Sequence, residues 1–150
     1  MKVSAAATAA LLLAFTALMG NVRAGDPPPP PAFHVVVHPK NPSAALGQTF
    51  LQDAFLKKVT RWPNGKAIRP ADLPAASTVR GSFSQRVLRR SVGAVRAYWQ
   101  QKIFGGHDVP PPELASDEAV VAHVLKNEGA IGYVSGSAKL QGVRAVRVVD

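Results

Sequence analysis

Phe33-His34-Val35-Val36-Val37-His38-Pro39 is the stretch on which the fold turns. Its apolar, β-branched run predicts a buried strand, and Pro39, which cannot donate to a sheet ladder, stops it. Downstream, Ser43 is the expected N-cap of a first helix whose apolar face carries Leu46, Phe50, Leu51, Ala54 and Phe55 at helical spacing. Thr60 to Pro70 holds Trp62-Pro63-Asn64-Gly65, so a turn is expected there with Trp62 as its hydrophobic peg.

Ile68 opens a short strand, and Ser77 or Thr78 caps a second helix from about Val79 to Arg90 with Phe83, Val87 and Leu88 inward. Ser91 caps a third, marked by Val95, Trp99 and Ile103 and ended by Gly105-Gly106. After Pro110 to Pro112, Ser116 caps a fourth, with Asp117 and Glu118 suited to its positive end and Val120, Val121, Val124 and Leu125 as its buried stripe. Gly129 closes it, and Ala130 to Val134 and Val143 to Val149 read as strands. Strand, helices, then strands is the order of an α/β or α+β domain, here a small sheet packed with about four helices.

Upstream, Lys2, the apolar run Ala5 to Met19 and the close Val22-Arg23-Ala24 have the form of a secretory signal cleaved after Ala24. The apolar run is shorter than the roughly 20 residues that span a bilayer. With no Cys in the chain, neither a lipid on a cysteine nor a disulfide is expected. Five prolines, Pro27 to Pro31, make residues 25–32 a stiff polyproline leader, so the folded domain is expected at 33–150. The expectation is a soluble periplasmic protein that is not a lipoprotein. The formal charge of +9 favours anionic partners without naming the anion, and nucleic acid is not expected for an exported protein.

Catalytic signatures are missing. The chain has no Gly-x-Ser-x-Gly elbow, no phosphate-binding Gly-Lys loop and no Cys nucleophile, so no enzyme activity and no cofactor are expected. His34 and His38 have the spacing of a helical zinc pair, but on a strand their rings would sit roughly 13 Å apart, so no metal site is expected.

Three stretches together resemble the phosphate ABC transporter substrate-binding proteins, which have the type 2 periplasmic binding-protein fold. Val35 to Pro42, followed by a helix and Lys58-Val59-Thr60-Arg61-Trp62-Pro63-Asn64-Gly65, looks like that family's strand, helix and Trp-containing loop. Ser77-Thr78-Val79-Arg80-Gly81-Ser82-Phe83 is similar to its Ser-Gly-Thr-Arg-x-x-Phe turn, and Gly129-Ala130-Ile131-Gly132-Tyr133-Val134 to its Gly-x-Ile-Gly-Tyr strand. The three occur in the family's order and span about residues 33 to 135. The resemblance implies a single lobe of that fold, a PBP-like domain, since family members have two lobes and about twice the length.

It also implies an oxyanion site at Ser77, Thr78 and Arg80, with Asp72 either accepting a proton-bearing ligand oxygen or orienting Arg80. Physics supports that independently. A helix start offers unpaired amides and a positive dipole end, hydroxyls add donors, and arginine adds a planar fork that matches phosphate oxygens. An ordinary N-cap beside a surface arginine is the other reading. Where the family has Gly then Thr, this chain has Thr78 then Val79, which hinders one backbone approach and removes one hydroxyl. One lobe supplies part of a ligand shell, so phosphate or a similar oxyanion is expected to bind weakly unless a second copy or a partner provides the other wall. The alternative is a periplasmic accessory protein that has lost the ligand and meets a membrane-associated partner through a basic surface including Arg86, Arg89, Arg90 and Arg96.

Overall fold

The computed structural model describes residues 31–150. The expected signal sequence and most of the expected Pro-rich leader lie outside the described residues. Five strands, β1 (Phe33–Val37), β2 (Ala45–Gly47), β3 (Arg69–Pro70), β4 (Ala130–Ser135) and β5 (Arg144–Val149), form one sheet in the order β2-β5-β1-β4-β3. Four helices accompany them: α1 (Gln48–Phe55), α2 (Thr78–Phe83), α3 (Val92–Phe104) and α4 (Asp117–Lys126). The mixed α/β architecture expected from the sequence is the one observed.

The central strand β1 is antiparallel to β4, from Phe33↔Ser135 to Val37↔Ile131, and to β5, from Val35↔Val146 to Val37↔Arg144. The outer pairs are parallel, with Leu46 opposite Val148 and Arg69 opposite Ala130. Alternation along β4 assigns the helices to faces. A Cβ on Gly132 would come within 2.7 Å of Val120 Cγ1, so α4 lies close against that side. Its neighbour Tyr133, fully buried on the opposite side, stacks on Phe83 of α2 at 3.9 Å between ring centroids, with Phe55 of α1 packed on Phe83. With both faces covered, β4 can be apolar along its length, which is why Ala130–Val134 reads as a continuous run.

Local signals hold where the partner is close in sequence. Ser77, Ser91 and Ser116 each accept an amide hydrogen from the residue three positions on, at 3.3, 3.1 and 3.2 Å. Trp62 is 5% exposed and donates Nε1 to the carbonyl of Gly129 at 3.0 Å, pinning its turn to the start of β4. Gly129 has no room for a side chain, since a Cβ there would lie 1.9 Å from the carbonyl oxygen of Ala67.

Four expectations are corrected. The first helix begins at Gln48 with Gly47 as its N-cap, not at Ser43, and Leu46 belongs to β2, where pairing with β5 outweighs the helical spacing. The second helix is α-helical only to Phe83 and continues as a π-helical turn, Ser84–Leu88, that ends at Arg89 in the left-handed region. Ile103 and Leu125 are exposed because α3 and α4 turn those positions away from the layer they pack on. The fourth helix ends at Lys126, with Asn127 as its C-cap, rather than at Gly129.

Candidate functional site

The start of α2 is built by the segment leaving β3. Pro74 accepts the amide of Ser77 at 2.9 Å, and extended backbone at Ser77 turns its hydroxyl onto the amide of Arg80. Among the described residues the amides of Thr78 and Val79 have no backbone partner, as the first turn of a helix dictates. Thr78 is exposed and Ser77 half-buried, so these donors are reachable from solvent.

Arg80 turns inward. Its Nε lies 3.2 Å from Asp72 Oδ1, and Nη1 donates to the carbonyl of Leu73 at 2.5 Å and to Glu113 Oε1 at 3.2 Å. The Arg80 and Asp72 side chains are 8% and 7% exposed, whereas Glu113 is half open to water. Asp72 also accepts the amide of Leu73 at 3.2 Å and a hydrogen bond from the Tyr133 hydroxyl. Burial pushes the Asp72 carboxyl above its ordinary value, opposed by Arg80 and by the Tyr133 and Leu73 donors. Burial, together with the Asp72 charge, raises Tyr133 further from ionisation.

The four residues singled out in the sequence are therefore neighbours. Asp72 orients Arg80, Ser77 caps the backbone of Arg80, and Thr78 stands exposed beside them. The arginine fork is largely committed to protein partners, not spread toward solvent at the helix start. Its remaining edge lines a pocket of about 180 Å³ with Glu113, Arg96, Trp99 and Ile103. Glu113 was not found from sequence. It reaches Arg80 through a parallel bridge between Asp72 and Glu113, in which Asp72 donates its amide to Pro112 and accepts that of Leu114. The two candidate metal histidines are engaged separately: His34 Nε2 lies 3.2 Å from the Gly136 carbonyl, and His38 Nδ1 accepts the amide of Lys40.

No family model matches the chain, and no curated protein matches it in sequence. Solved structures match its fold. A Clostridium perfringens protein assigned as a phosphate ABC transporter substrate-binding protein, solved with bound phosphate, aligns at 23% identity and a TM-score of 0.57 over 78% of this chain and 44% of its own. An ABC-type phosphate transport receptor from Vibrio cholerae aligns at 20% identity and a TM-score of 0.61, over 79% of this chain and 47% of its own. PstS from Borrelia burgdorferi aligns at 12% identity and 0.60, over 78% and 47%. The chain thus has the fold of part of a periplasmic binding protein and spans less than half the length of these structures. No described helix is long and apolar enough to cross a membrane.

Proposed function

We propose that the protein is an exported solute-binding-like protein that holds phosphate or a similar oxyanion weakly at the start of α2. Residues 1–24 act as the signal cleaved on entry to the periplasm, 25–32 as a Pro-rich leader and 33–150 as the binding domain. The observation that carries the reading is the pair of open amides on Thr78 and Val79 beside the buried cation of Arg80. Amides and dipole attract the anion, the Ser77 and Thr78 hydroxyls add donors, and Asp72 keeps Arg80 in place. The role is binding, not catalysis. With one wall present the anion keeps part of its hydration, which makes affinity low until a second copy or a partner closes the site.

A second reading is favoured by one observation: Arg80 already faces two carboxylates, Asp72 and Glu113, that reduce its pull on an incoming anion. In that reading the lobe serves as an accessory surface for a membrane-associated partner, and the ligand has been lost.

Thermal unfolding with phosphate, sulfate and chloride at matched ionic strength separates the two, because a ligand of the native state raises the midpoint as it passes its dissociation constant. Thr78→Pro is the informative variant. Proline is well accepted at the first helical position after an extended residue, yet it removes both the amide and the hydroxyl of Thr78. A phosphate-specific rise that Thr78→Pro abolishes supports the oxyanion site. Equal responses to all three salts sink it.

A further inference from the structure

The pairing of β1 with β5 stops short. It runs from Val37↔Arg144 to Val35↔Val146, after which Arg147–Val149 pairs with Ala45–Gly47 of β2, and Phe33 and His34 pair with β4 alone. Two strands that part within one sheet leave a wedge between them. Here the wedge opens into a cleft of about 490 Å³, within the range of small-molecule sites. None of Ser77, Thr78, Arg80 or Asp72 lines it.

Its walls divide by chemistry. Phe33, Val35, Val87 and Val146 are apolar residues of its lining, and Arg86, Arg89 and Arg147 are its exposed basic ones. Asp150 is the one acidic residue among those lining the cleft. Among the described residues none of the three arginines has a carboxylate at ion-pair distance, in contrast to Arg80.

Arg89 is placed there at a cost. It ends the π-helical turn at φ 55°, a conformation that side-chain-bearing residues seldom adopt, and its Nη2 donates to Gln48 Oε1 at 3.3 Å. Gln48 is itself fixed, donating Nε2 to the carbonyls of Arg86 and Val87 at 2.8 and 3.2 Å.

From this geometry we propose a second ligand site in the cleft between β1 and β5, selective for a small organic dianion with an apolar body. Three arginines against one acidic residue leave the lining positively charged, which an organic phosphate monoester or a dicarboxylate neutralises. The apolar lining supplies what inorganic phosphate cannot use, a desolvating surface for a ring or short chain. The site is independent of the oxyanion reading at α2.

The probe is 1-naphthyl phosphate, followed by equilibrium dialysis with the full chain, with 1-naphthol as its uncharged counterpart. One equivalent is expected to bind, and Arg89→Asn with Arg147→Gln is expected to weaken it about tenfold or more, the scale of losing two charge-assisted contacts. Both residues are exposed, and asparagine tolerates the left-handed backbone at position 89, so the fold is expected to survive, which circular dichroism checks. Lys58→Gln with Lys126→Gln removes the same charge from exposed positions outside the cleft and is expected to leave binding unchanged. Failure of the probe to bind, equal binding of 1-naphthol, equal weakening by the lysine pair, or full displacement by equimolar inorganic phosphate would each overturn the proposal.

Discussion

Arg80 and Asp72 meet in the interior at 3.2 Å, Nε to Oδ1, and the Tyr133 hydroxyl and the Leu73 amide donate to that same oxygen. A buried charge that loses its partner keeps its desolvation cost, so Asp72→Asn is expected to lower stability by about 3 kcal/mol in urea unfolding. Asp72→Asn combined with Arg80→Met is expected to cost less than the two single losses added together, by about 1–3 kcal/mol. Strict additivity would show that the pair is not coupled.

Removal of the Tyr133 hydroxyl isolates one support of that carboxylate. Tyr133→Phe is expected to destabilise by about 1–2 kcal/mol near neutral pH, because Asp72 loses a donor that favours its charged form. The sign with pH follows from the raised folded-state value. A carboxyl raised on folding contributes stability that is present below its ordinary 3.8 and is lost as pH rises through the folded value. The Tyr133→Phe penalty should therefore be smaller at pH 3 than at pH 7, and nuclear magnetic resonance should find the Asp72 carboxyl titrating higher in the variant.

Two glycines make opposite predictions. Gly129→Ala drives a methyl into the Ala67 carbonyl at 1.9 Å, where backbone must move, and is expected to cost several kcal/mol or prevent folding. Gly81 lies inside α2, and a Cβ there meets nothing within 4 Å. Gly81→Ala is expected to raise stability by about 0.5–1 kcal/mol through helix propensity and reduced freedom of the unfolded chain.

Glu128 is held by Lys40 at 2.6 Å and by Lys66, which together depress its carboxyl from 4.5 to about 2. The stability it contributes is present above 4.5 and is lost as pH falls through about 2. The cluster is on the surface, so salt near 1 M, which shrinks the screening length to about 3 Å, should move the titration back toward 4.5. A midpoint that ignores salt would contradict this account.

The fold was legible where chemistry is local and hidden where it depends on distant neighbours. Serine caps announce helix starts because their partner amide is three residues away, and Trp62 marks its turn whatever it packs on. Leu46 misled because a strand that ends beside a helix shares its spacing for one turn, and only β5, a hundred residues on, reveals the pairing. Ile103 misled because spacing gives a helix face without saying where the supporting layer ends. Within the candidate site, Ser77 and Thr78 were readable from the cap. The inward turn of Arg80 was not, since it depends on Glu113 arriving through a bridge to Asp72.

The place of β5 bears on the order in which the molecule is made. Arg144–Val149 is synthesised after every other described strand, yet it fills the slot between β2 and β1. Until those residues emerge, β2 has no neighbour and β1 keeps one edge bare, so a growing chain cannot close its sheet early. The last described strand is therefore the latch of the sheet, and every contact that β2 makes within it waits on that strand.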